Sequence, residues 1–97
     1  MEVRFRPKAL QDLHEILEYI KAENPAAALR IIDDIEKFCM GTLSDNPRIG
    51  SKQDDIVSSL RIFNVSGYRI CYFIRETHID VVRILHHARD LSQHFNK

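Results

Sequence analysis

The sequence predicts an α+β fold of order β-α-α-β-β-β, a helical hairpin packed on one face of a small antiparallel sheet. Three observations predict it. An alternating stretch opens the chain. Two stretches follow in which apolar residues recur at three- and four-residue steps. Then Leu60 to Asp90 reads as three β-rich runs, joined by connectors too short to hold a crossover helix.

Met1 to Arg6 alternates, with Val3 and Phe5 on one side and Glu2, Arg4 and Arg6 on the other, which predicts a short half-buried strand. Pro7 ends it and suits the first turn of a helix. Leu10, Leu13, Ile16, Leu17 and Ile20 then form an apolar stripe, with Gln11, Asp12, His14, Glu15 and Glu18 on the opposite, wet side. Asn24-Pro25 stops this helix, because the residue before a proline avoids helical dihedrals. Asn24 can cap the next helix, with Pro25 at its first position and Ala26-Ala27-Ala28 as strong helix formers. Leu29, Ile32, Ile35, Cys39 and Leu43 form the second stripe, with Phe38 beside it. The helix is expected to end near Leu43 or Ser44.

Pro47 to Gly50 is expected to turn, and Ser51 to Val57 to form a surface loop. The three final runs are Ser59 to Val65, Tyr68 to Arg75 and Ile79 to His86, broken at Ser66-Gly67 and at Glu76-Thr77-His78. Leu91 to Lys97 is expected to make one helical turn, with Phe95 folding back on the domain. Two helical stripes can cover one sheet face, so the other face is expected to stay partly open.

A chain of 97 residues is one domain's length, 1–97, and is 44% hydrophobic and 29% charged, as a globular domain is. No apolar run approaches the roughly 18 residues of a membrane span. The opening MEVRFRPKAL lacks an apolar signal core, so no export and a cytoplasmic location are expected. Cys39 and Cys71 lie far apart within apolar stretches and read as buried free thiols. Net charge is zero, but residues 1–47 hold six Lys/Arg against nine Asp/Glu, and residues 48–97 hold eight against five. The basic second half could attract an acidic partner or a phosphate backbone, or be a normally solvated surface.

Arginines recur in the three-strand block at Arg61, Arg69, Arg75, Arg83 and Arg89, beside His86, His87 and His94. Cleaving a phosphodiester through a 2′-hydroxyl needs a base, an acid and cations around the phosphorus oxygens. Histidine can supply the first two and arginine the third. The competing reading is that these are solvated strand charges. A metal site is not expected, because His86 and His87 would point to opposite faces of a strand and no further ligands complete a set. Neither cysteine has a local activating partner. No nucleotide-cradling Gly-rich loop is present, and no cofactor is expected. Recognition of a segment from another chain is the physically least demanding role.

Tyr19-Ile20, Asn24 to Ala28, the Pro47 and Gly50 turn, Leu60-Arg61, Gly67-Tyr68-Arg69-Ile70 with Tyr72, and Arg83-Ile84-Leu85-His86-His87-Ala88-Arg89-Asp90 together resemble the ParE/RelE toxin superfamily. The resemblance runs from about Phe5 to Phe95, and its closing segment has the ParE flavour. It implies a toxin of a type II toxin–antitoxin (plasmid stabilisation) system, silenced by a ParD-like antitoxin whose C-terminal segment wraps the toxin. ParE-like members poison DNA gyrase and have no hydrolytic site. RelE-like members cut messenger RNA in the ribosome.

In the RelE-like alternative the resemblance assigns catalysis to Arg61, Arg83, His86, Arg89 and His94. In the ParE-like reading Arg61, Arg69, Arg83, His87 and Arg89 would contact the target or partner, with no sequence-specific DNA binding by this chain alone. Three departures favour ParE. Phe95 stands where several RelE-like nucleases use a tyrosine. The loop from Arg48 to Val57 has one lysine, Lys52, beside Asp54 and Asp55. The net charge of zero is low for an RNA binder.

Overall fold

The computed structural model describes residues 1–95. The last two positions of the expected C-terminal turn, Asn96 and Lys97, lie outside the described residues. The order is strand β1 (Glu2–Phe5), helix α1 (Pro7–Lys21), helix α2 (Pro25–Lys37), strands β2 (Ser51–Lys52), β3 (Arg61–Val65), β4 (Tyr68–Ile74) and β5 (His78–His86), and helix α3 (Leu91–Phe95).

The sheet runs β1-β5-β4-β3-β2. The β3-β4-β5 meander is antiparallel as expected. Two features extend the sequence-based expectation. β1 pairs with β5 in parallel, from Glu2↔His78 to Phe5↔Val81, because the two helices carry the chain back across the sheet. The expected surface loop also begins as β2, whose two residues pair with Ile62 and Arg61.

Local chemistry explains the joints. Asn24 caps α2 by accepting the Ala27 N–H at 3.1 Å. α2 runs into a π-helical turn, Phe38–Leu43, whose wider winding places Phe38, Cys39 and Leu43 inside. Ser66 (φ 53) and Gly67 (φ 86) form the β3–β4 turn with both φ positive, as in the type I′ turn of two-residue hairpins. Ser66 Oγ donates to Asp34 Oδ2 at 2.7 Å and ties that turn to α2.

The main core lies between the helices and the sheet, around Ala9, Ile35, Leu43, Ile70, Tyr72 and Ile79. Phe38 stacks on Phe63 with ring centroids 4.7 Å apart, closing the core at β3. The opposite face was expected to stay partly open; its centre is covered, while Asn64 is exposed and Arg69 and Phe73 are half-buried there. Leu60, Ile62, Cys71, Leu85 and Leu91 form a second core there, packed by Ile56, Val57 and Phe95. The loop before β3 and the short α3 supply the cover that the hairpin cannot reach. Phe95 does fold back, as expected.

Candidate functional site

The site grows from the point where β1 leaves the sheet. The last backbone bond there is Arg6 N–H to the Val81 carbonyl, at 2.9 Å. Beyond it the outer edge of β5 has no strand neighbour among the described residues. A bulge falls at the same place, since Tyr72 pairs with Val81 but Cys71 pairs with Arg83, leaving Val82 extra. Asp12 of α1 takes the place of the missing strand. Its Oδ2 accepts the Ile84 N–H at 3.0 Å and Arg83 Nε at 2.7 Å, and its Oδ1 accepts Arg83 Nη2 at 2.9 Å. Asp12 is 8% exposed, so the residue expected on the wet side of α1 is buried. The Asp12 hydrogen bond holds the Arg83 guanidinium pKa above its usual value, against the effect of burial.

Past this clasp, α1 and the end of β5 diverge and leave a groove of about 710 Å³. Glu15, Ile16 and Tyr19 line it from α1, with Tyr68, His86 and Arg89 opposite. His86 Nδ1 accepts the Ala88 N–H at 3.2 Å, so the neutral ring carries its proton on Nε2. His87 Nδ1 lies 3.1 Å from the Gly67 carbonyl, which can only accept, so its neutral ring is the opposite tautomer. The His86 and His87 ring centroids are 4.4 Å apart. His86 also meets Tyr68 edge-on, centroids 5.4 Å apart. Burial, with Tyr19 nearby, raises the Tyr68 pKa, so its hydroxyl stays protonated.

The candidate residues divide. Arg83, His86 and Arg89 share the groove. His94 on α3 lies close enough to Arg83 and Arg89 that burial and their charges lower its pKa below 6.5. Arg61 stands apart. It lies two strands from β5, and its β4 partner Tyr72 is four rungs from Tyr68, the partner of His86. Its guanidinium donates to the carbonyls of Arg48 (3.1 Å) and Gly50 (2.7 Å) and braces the turn before β2. Arg69 donates to the Arg89 carbonyl at 3.3 Å. The Arg89 side chain is exposed and has no hydrogen bond or ion pair among the described residues.

Sequence reasoning missed Asp12, Tyr68 and the buried Tyr72. No local signal marked the first: Asp12 stands between Gln11 and Leu13, with His14 and Glu15 following, and reads as one more polar residue of the wet face. A second hollow of about 310 Å³ lies where Leu10 and Leu13 of α1 meet Ile32 of α2, with Phe5 and Met40 at its ends. Leu10 and Met40 are about half exposed there. Burial pushes both Cys39 and Cys71 up to about 12, which removes thiolate chemistry at neutral pH. Among the described residues, no three His, Cys, Asp or Glu side chains are grouped to hold a metal ion, and no helix is long and apolar enough to cross a membrane.

Comparison with known proteins gives three findings. Residues 3–91 match the family model described as the ParE toxin of the type II toxin–antitoxin system parDE. Among solved structures, the chain is similar to one from the chromosomal ParDE system of P. aeruginosa, with a TM-score of 0.75 and 20% identity over 89% of this chain and 95% of that one. It is also similar to one from the RelBE2 toxin–antitoxin complex of Mycobacterium tuberculosis, with a TM-score of 0.65 and 25% identity over 88% of this chain and 95% of that one. No curated protein sequence matches.

Proposed function

The chain belongs to the ParE toxin family of type II toxin–antitoxin systems, and on that premise we propose that it arrests growth by inhibiting DNA gyrase until a ParD-like antitoxin covers it. The observation that supports this reading over a nuclease is the internal use of its arginines. Arg83 is held by buried Asp12, and Arg61 by two carbonyls of a turn. Phosphoryl chemistry needs such cations free to meet charge that develops on the substrate. Phe95 at the end of α3 carries no exchangeable proton. The exposed apolar residues around the α1–α2 hollow, Leu10 and Met40, suit an antitoxin segment that excludes water from them. Loss of that cover would leave the toxin less stable alone.

The deciding assay is supercoiling by gyrase from the host organism with purified chain at low molar ratio. Inhibition, or trapped cleaved DNA, is expected, and unaffected supercoiling would sink the reading. The runner-up is a RelE-like ribosome-dependent messenger endonuclease, which the similarity to the RelBE2 structure and the His86, Arg89 and His94 grouping keep in view. Protein synthesis falling within the first minutes after induction, with discrete cuts in messages, would favour it.

A further inference from the structure

Three polar groups line the α1–β5 groove with hydrogen-bonding capacity that no partner uses among the described residues. Tyr68 is 9% exposed, yet its hydroxyl has no hydrogen-bond partner among the described residues. Being on the groove wall, it is open to a ligand. His86 is fixed by the Ala88 N–H so that Nε2–H remains to donate. The guanidinium of Arg89 is exposed and unpaired among the described residues. All three are donors, so the complementary group is an acceptor, and one beside a guanidinium should be an anion.

Charge decides what kind of anion. Asp12 and Arg83 neutralise one another, and Glu15 of α1 adds a negative charge to the lining of the groove that Arg89 also lines. The groove therefore offers little net positive charge, which suits one carboxylate and disfavours a polyanionic nucleic-acid backbone. The wall beside the donors is apolar and aromatic. Ile16 lies there, with Tyr19 at 78% exposed. A ring so exposed in a groove that arginines also line has the composition of an interface anchor.

We infer that this groove receives a single Asp or Glu side chain of the antitoxin, held by Tyr68 Oη, His86 Nε2–H and Arg89, with an adjacent apolar residue lying on Ile16 and Tyr19. The inference rests on the antitoxin reading above and specifies its contact. It places recognition by charge on the β5 side of the molecule, away from the apolar hollow between the helices.

The test is NMR titration of the full chain with three probes: N-acetyl-leucyl-glutamate amide, its glutamine analogue and inorganic phosphate. The glutamate peptide is expected to shift the Tyr68, His86 and Arg89 signals with millimolar affinity, about five-fold or more tighter than the glutamine peptide. Arg89→Gln, on an exposed turn, and Tyr68→Phe, which keeps the ring, should each weaken it about three-fold or more. Equal binding of both peptides, or no shift with any probe, overturns the inference. Tighter binding of phosphate also overturns it, in favour of a nucleic-acid backbone. Growth rescue by the co-encoded antitoxin tests the parent reading separately. Rescue without peptide binding would sink only the groove assignment, whereas peptide binding without rescue would keep the groove as a carboxylate receptor and sink the antitoxin reading.

Discussion

Asp12 grips Arg83 through two hydrogen bonds, of 2.7 and 2.9 Å, across 71 positions of sequence. The same carboxylate takes the Ile84 N–H, so one side chain both closes a sheet edge and neutralises the charge beside it. The side chains are only 10% and 15% exposed, which puts the pair in the regime where the loss of one partner strands the other. Asp12→Ala should therefore cost about 3–5 kcal/mol of unfolding free energy in urea. Replacing both residues by apolar ones, Asp12→Leu with Arg83→Met, should cost clearly less than the sum of the single changes. Additive losses would mean that the two groups are not coupled.

How much of this was legible in the sequence depends on the range of the interaction. The element order is readable because each signal is local: the Val3/Phe5 alternation, the Asn24-Pro25 cap and the Ser66-Gly67 turn are settled within a few residues. The parallel pairing of β1 with β5 is not, since no local pattern distinguishes a parallel partner from an antiparallel one. Leu29 shows the same limit. It fits the helical stripe, yet it is 71% exposed while Ala28 is buried, because helix rotation is set by what packs against it. In the site, the Arg83 to Arg89 segment is visible as a cluster. That Asp12 would spend Arg83, and that the turn would spend Arg61, depends on register and tertiary approach.

Tyr72 and Gly50 are the next pair to test. The buried tyrosine hydroxyl accepts the Gly50 N–H at 2.8 Å and donates to the Pro47 carbonyl at 2.7 Å. A Cβ on Gly50 would sit 2.6 Å from that oxygen and 2.9 Å from the ring carbon Cε1. Gly50→Ala should thus destabilise through a clash, and Tyr72→Phe by orphaning two backbone groups, at about 1–3 kcal/mol for the latter. The double variant should be less damaged than additivity predicts, because the oxygen in the way is gone. Thermal melts of the three variants decide this, and strict additivity would count against the contact.

Arg61→Ala tests whether that residue works in place or at a distance. Its two carbonyl contacts predict a loss of about 1–3 kcal/mol. Any loss of toxicity should follow that loss of stability and recover when cells are grown cooler. A variant with an unchanged melting temperature that is no longer toxic would instead return Arg61 to a direct role against the target.

The end of the sheet distal to the groove carries a pH signature. Burial would raise the Asp80 carboxyl, but the hydrogen bond from Arg75 and the charges of His78, Arg75 and Arg6 lower it overall, below 3.8. Its ion pair with Arg75 is 2.9 Å long. A carboxyl lowered in the folded state contributes stability that is present above its unfolded value and is lost as pH falls through the folded one. Acid unfolding should therefore steepen below about pH 3.8. Asp80→Asn should flatten the curve in that window, and an unchanged acid limb would show that Asp80 does not contribute to it.

Cys39 and Cys71 offer a measure of how far the fold opens. Both are fully enclosed, Cys39 in the π-helical turn that faces the main core and Cys71 in the second core, and burial pushes each up to about 12. At pH 8 such a thiol is almost wholly protonated, and at 0% exposure a reagent reaches it only when the fold opens. Disulfide-reagent labelling of the native chain should therefore wait for an opening event, with both thiols reacting promptly in urea. The cysteines report on different cores, so their rates separate the two. Faster labelling of Cys71 would mean that the loop and α3 lift before the helical hairpin does. Faster labelling of Cys39 would mean that the hairpin is the looser cover. Labelling of either at the free-thiol rate in the native protein would refute its burial.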